Sequence, residues 1–185
     1  MKKIVLLFIL IGFLTGARLS FSQNYFMNIE NPGIEGESQT NNYENQIDLT
    51  DFSFSITNNF SFHSLKTSVT GKVVSTPVNV EFLLNKAGSE ILTSLHKGRH
   101  HGKITISVLQ TGAESPQEYL VYEFEDIVFT SFTTKNTENE ILVSASFKPS
   151  TFRIKLRPTL QDGSLGTEVN KGWNLETNQA LTTSP

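Results

Sequence analysis

The sequence predicts a mainly β domain with one short α-helix. Three observations carry this. Apolar residues alternate with polar ones in Val78 to Leu84, Ile104 to Val108, Ile141 to Phe147 and Phe152 to Leu156, the period of strands with one buried face. Only one stretch of the chain beyond the first residues has a helical pattern and both end signals. Apolar residues make up 37% of the 185 residues and include 14 Phe, a composition that suits a β-rich core of one domain.

The first residues stand apart from the fold. Lys2 and Lys3 form a positive start, Ile4 to Leu14 is an apolar run of 11 residues broken only by Gly12, and Ser20-Phe21-Ser22 puts small residues where a signal peptidase reads them. Residues 1–22 are therefore expected to be a signal peptide cleaved before Gln23, with export to the periplasm or beyond the cell. The run is short of the roughly 20 apolar residues a membrane span needs, so no stable membrane insertion is expected after cleavage. Removing Lys2, Lys3 and Arg18 from 15 basic residues leaves 12 against 18 acidic, a formal charge of −6. That balance disfavours nucleic-acid binding, which draws on basic patches. With no cysteine, thiol catalysis, disulfides and Cys-ligated metals are excluded.

The mature region, 23–185, reads as one domain. Tyr25 to Ile29 is the first expected strand, and Asn31-Pro32-Gly33 a turn. Ile47 to Ile56 is the second; its apolar parity changes between Leu49 and Phe52, which either a bulge near Thr50-Asp51 or a strand buried on both faces reconciles. Thr57 to Pro77, rich in Ser, Thr and Asn, is expected to be a long loop with room for a hairpin. A strand from Val78 then leads to the helix, placed at Ser89–Lys97. Ser89 is the expected N-cap, Glu90 faces the positive end of the helix dipole, Ile91, Leu92 and Leu95 form an apolar stripe, and Gly98 ends the helix. Glu118 to Phe132 is one long strand with apolar residues on both parities, which places it centrally or carries it from the core to an inter-subunit surface. Lys148-Pro149-Ser150 separates two further strands, Asp162-Gly163-Ser164 is a turn, and Gly172-Trp173-Asn174 opens the C-terminal segment.

No set of residues adds up to a catalytic centre. His96, His100 and His101 are the one histidine cluster, but Gly98 breaks the helical spacing a metal would use, and no acidic neighbour in sequence completes a site. His63 stands alone. Glu123 and Glu125 are expected on one strand face and Asp126 on the other, a solvated or inter-subunit group rather than a pair of glycosidase carboxylates. No G-x-S-x-G elbow occurs, and Asp162 to Gly166 lacks the Lys of a phosphate loop. Trp173 is expected to anchor the C-terminal segment rather than to stack on a sugar. No catalytic, cofactor-binding or metal residue is assigned, and no cofactor is implied.

Four phrases, in order, carry a family resemblance. They are Gly33-Ile34-Glu35-Gly36-Glu37-Ser38, the run from Val78 through Ser89, Ile91 and Leu92 to Gly98-Arg99-His100, the run Gln117-Glu118-Tyr119-Leu120 with Glu125-Asp126-Ile127-Val128 and Ser131, and Gly172-Trp173-Asn174-Leu175. Together they resemble the haemolysin-coregulated proteins, the tube subunits of type VI secretion, over Asn24 to Ala180. The resemblance implies a β-barrel-like two-sheet sandwich with one helix and no enzymatic activity. It implies a homo-hexameric ring, rings that stack into a tube for effector delivery, and a spike protein and effectors as partners. It gives Thr57 to Pro77 the task of reaching a neighbouring ring. The signal peptide is a departure, since tube subunits of this family assemble in the cytoplasm without one. The alternative reading is an exported monomeric binding module, or a secreted effector-like relative, that uses the same fold.

Overall fold

The structure, a computed structural model, describes residues 22–59, 72–111 and 116–182. Residues 1–21 of the expected signal peptide, His63 and the middle of the Thr57 to Pro77 stretch lie outside these residues, while Ser22 is the first residue of the first strand. Eleven strands and one helix are described. They are β1 (Ser22–Glu30), β2 (Ile47–Leu49), β3 (Asp51–Ser53), β4 (Ile56–Asn59), β5 (Lys72–Ser75), β6 (Val78–Leu83), α1 (Lys86–Lys97), β7 (His100–Thr111), β8 (Gln117–Asn136), β9 (Ile141–Leu156), β10 (Val169–Asn174) and β11 (Gln179–Ala180). The class is the expected one: mainly β, two sheets, one helix.

Nine strands form one sheet in which β10, β9, β8, β7, β1 and β2 follow one another, all antiparallel. β6 pairs with the first half of β9 and, on its other side, with β3. Residues 47–53 thus pair with β1 at one end and β6 at the other, and the pairing path returns toward itself in a barrel-like way. The expected parity change falls at Thr50, which leaves both ladders and donates its N–H to Glu81 O at 2.8 Å. Ile47 and Leu49 then face the core beside Phe52. The second sheet is the ribbon of β4 and β5, the hairpin for which the sequence left room.

The two strands expected on either side of Pro149 are one. β6 covers Leu142 to Phe147 of β9 and β10 covers Thr151 to Leu156. Pro149 falls in the gap between these neighbours on one side of β9, while on the other side it stays paired with Ile127 of β8.

β8 corrects a sequence expectation. Asp126 adopts φ 48°, so Glu125 and Asp126 both face solvent while Phe124 and Ile127 on either side are fully buried. The pairing register with β7 and β9 is the same on both sides of Asp126, and a register shift between Phe129 and Ser131 brings Phe132 back against the core. The left-handed residue at Asp126 and the bulge at Phe129–Ser131 thus bring buried apolar residues of both sequence parities onto one face. Asp126 joins Glu123 and Glu125 on the outer face, contrary to the expected separation.

The helix begins one turn earlier than Ser89. Asn85 is the N-cap: its side chain accepts the Ala87 N–H at 3.0 Å. Ser89 is interior and donates its hydroxyl to Lys86 O at 2.8 Å. No acidic residue lies in the first turn. The anion comes instead from 49 residues upstream, where Glu37 accepts the Lys86 N–H at 3.1 Å. The C-terminal end is as expected, with Gly98 at φ 56° and its N–H on Leu95 O. Ile91 is buried and Leu95 partly buried, whereas Leu92, expected in the same stripe, is exposed. Its place on the inner face is taken by Gly88, which sits against Leu84, Phe82 and Phe132.

Candidate functional site

The four sequence phrases turn out to hold structure together. Gly36 crosses the backbone of Gln46 so closely that a Cβ would lie 2.1 Å from Gln46 O. Its N–H donates to Asn45 O, and Ser38 N–H to Gln46 O. The loop so closed lays Tyr43 over Phe26, ring centroids 4.6 Å apart, and Tyr43 donates its hydroxyl to Glu118 at 2.9 Å. Burial first, then Glu118, holds the Tyr43 phenol well above its ordinary range. Phe26 is thereby 2% exposed although it points away from the main core. In the last phrase, Gly172 passes the Phe152 carbonyl, Trp173 is half-buried with its N–H on Asn178, and the Asn174 side chain accepts the Glu176 and Thr177 N–H groups. Trp173 thus ties down the C-terminal segment.

The three histidines do different things. His96 is exposed and its ring N–H reaches back to Leu92 O. His101, only 1% exposed, donates Nδ1–H to Pro32 O at 2.7 Å and accepts the Ser94 hydroxyl at Nε2, 3.1 Å away, which fixes the neutral ring. It joins β7, the Pro32 turn and α1. Burial lowers its pKa, against the Pro32 carbonyl, and Arg99 adds to the lowering. The unfolded chain therefore takes up this proton first, and stability falls as pH drops below about 6.5, the unfolded value. We expect a lower melting temperature at pH 5.5 than at pH 7.5, and a smaller drop for His101→Gln, read by calorimetry.

His100, Asp126 and Ser150 meet on the surface. Asp126 takes His100 Nδ1 on one oxygen at 3.2 Å and the Ser150 hydroxyl on the other at 3.0 Å. Those two bonds, His100 first, hold its carboxyl below the ordinary range. The order is wrong for a nucleophile, which needs the imidazole between hydroxyl and carboxylate. Among the described residues no three His, Cys, Asp or Glu side chains are placed to hold a metal.

The acidic group is answered by cations rather than left to solvent. Glu123 lies 2.8 Å from Lys103 Nζ, 3.0 Å from Lys155 Nζ and 3.8 Å from Arg153 Nε. Burial works to raise its pKa, but the lysine bonds outweigh it and hold the carboxyl low. A carboxylate so held is no general acid at neutral pH. Glu123→Ala strands three cations together and is expected to destabilise the fold by about 1–2 kcal/mol, read as a shift of the urea midpoint.

What remains is apolar surface. A run of edge-to-face rings leaves the core: Tyr25 on Phe52, Phe52 on Tyr122, Phe124 on Phe54, and Phe54 on Phe152, at 5.1–5.5 Å between centroids. Beyond it, Leu120 and Ile154 are half-buried, and Leu156 and its β10 partner Val169 are 38% and 49% exposed. At the other end of β9, Leu84, Leu92 and Ile141 are exposed; Leu84 and Ile141 line one cavity, and Leu84 contacts the helix at Gly88, one turn before Leu92. The sequence signal for the first surface was the doubled apolar parity of β8. The second carried none, because Leu92 reads as part of the buried stripe.

The model of a known family, described as type VI secretion system effector, Hcp, matches residues 26–156, from β1 to the end of β9. The chain belongs to the Hcp family. Solved Hcp structures share its fold. Hcp1 from Salmonella typhimurium aligns over 86% of this chain and 99% of its own at TM-score 0.71 and 18% identity. A structure described as a type six secretion system protein aligns over 86% and 100% at TM-score 0.78 and 17% identity. The secreted protein Hcp3 from Pseudomonas aeruginosa aligns over 83% and 98% at TM-score 0.60 and 16% identity. No curated protein matches the sequence. The Hcp match takes in three of the four sequence phrases whole; the fourth, Gly172 to Leu175, lies beyond it. No helix among the described residues is long and apolar enough to cross a membrane.

Proposed function

We propose that the chain is a structural subunit of the Hcp tube type, which self-assembles into hexameric rings that stack to carry effectors, and that it is not an enzyme. The observation that carries this reading is the family match over residues 26–156, from β1 to the end of β9. Two features of the site support it. The polar clusters weighed for chemistry are engaged in holding the fold, and apolar surface runs out of the core at one end of β8 and β9. A ring needs such surface beyond what one chain's core consumes. The β4–β5 ribbon is the base of the stretch that would reach a neighbouring ring. Residues 1–22 act as a signal peptide in this proposal, so the rings form after export, in the periplasm or outside the cell, with spike and effector proteins as the partners there.

Negative-stain imaging of the purified mature chain tests the assembly, and intact-mass measurement of the protein recovered from the expressing cells tests the processing. Closed rings and a chain starting at Gln23 are expected. Single particles the size of one subunit would favour the monomeric binding module, and a chain retaining residues 1–22 would remove the export proposal alone.

A further inference from the structure

We infer that neighbouring copies are joined by two different patches at opposite ends of β9, with the Leu84–Leu92–Ile141 patch of one copy seated on the open Leu120–Ile154–Leu156–Val169 face of the next. The inference rests on the self-assembly proposed above and names the surfaces that would make it. β9 runs 16 residues from Ile141 to Leu156, roughly 50 Å at the usual rise per strand residue. Ile141 belongs to one patch and Leu156 to the other, so one strand spans the subunit between them. A two-fold pair formed on either patch would bury that patch twice and leave the other open. Only a head-to-tail contact buries both with one kind of interface, and repeated by rotation it closes into a ring.

The rims of the two patches agree in charge. The turn beside Ile141 carries Glu138 and Glu140, both exposed. Beside Leu156 and Val169 stand Lys171, exposed on β10, and Arg157, which meets Glu168 only at 3.6 Å with its side chain more than half exposed. An acidic rim around one apolar patch and a mostly basic rim around the other favour unlike patches meeting and disfavour two copies of the same patch. The open face is also the continuation of the ring-stacked core, so its shape is fixed by Tyr122 and Phe152 behind it. A fixed apolar face loses little freedom on docking.

The chain has no cysteine, so introduced thiols are the only ones. In Ile141→Cys/Val169→Cys, a short bis-maleimide should give a ladder of covalent multimers, while each single variant should stay one chain. A dimer from either single variant would show a two-fold contact and overturn the inference. An oligomer by light scattering with no ladder would overturn the patch assignment and leave self-assembly standing. A monomer at every concentration would overturn both. Val169→Glu, at a position 49% exposed, should keep the far-ultraviolet circular dichroism of the folded chain and raise the concentration for half-assembly about tenfold or more; unchanged assembly would contradict the inference.

Discussion

Gly36→Ala is expected to destabilise the fold by about 3 kcal/mol or more. The added Cβ would stand 2.1 Å from Gln46 O, 2.4 Å from Gln46 C and 2.6 Å from Ile47 N. All three are backbone atoms, so no side chain can swing aside. Either the 36–46 loop lifts from the Gln46–Ile47 backbone or β2 shifts against β1. Lifting the loop breaks the Gly36 and Ser38 backbone bonds, uncovers Phe26 and withdraws Glu37 from the helix amide. Gly33→Ala is the control. Its nearest neighbour would be Ile29 O at 3.5 Å, an ordinary contact, and a change within about 1 kcal/mol is expected. Urea midpoints measured at one protein concentration, because assembly couples to stability, should separate the two glycines clearly. Similar midpoints would contradict the close crossing.

Phe124→Ala is expected to cost about 3–5 kcal/mol, and Val128→Ala well under half of that. Phe124 is fully buried and packs edge-on against Phe54 and Phe147 at 5.3 and 5.4 Å. Val128 shares its parity in sequence, yet the left-handed backbone at Asp126 turns it to the outer face, where it is only half-buried. Ile127→Ala, on the other parity, should behave like Phe124→Ala in kind, with a loss of about 2–5 kcal/mol. A strand of unbroken alternation would make Phe124 and Val128 alike and Ile127 different. Thermal and urea unfolding of the three variants therefore tests the change of parity at Asp126.

These two cases show what the sequence could and could not disclose. The helix C-terminus was legible because Gly98 acts locally, and so was the break at Thr50, because residues 47–56 carry it in their own apolar pattern. The helix start was misread because the deciding contacts are not local: Asn85 looks like the end of a strand, Gly88 argues against a helix, and the Glu37 anion comes from 49 residues away. The parity change of β8 was hidden because it sits on Asp126, which tolerates a left-handed conformation without announcing it as a glycine would. His101 and Glu123 read as surface residues in isolation. Their burial follows from partners on other strands and on the helix, which no spacing rule reveals. Of the candidate surface, only the half built on doubled apolar parity could be read in advance. The half around Leu84 and Ile141 arises where a strand end, a helix start and a turn happen to meet.

The most direct test of the central claim is the mass of the mature chain, Gln23 to Pro185, by light scattering on a sizing column. A Hcp-type tube subunit should elute as a closed hexamer, with a mass that holds on dilution. A mass of one chain at every concentration would contradict the account, leaving a shared fold without the assembly.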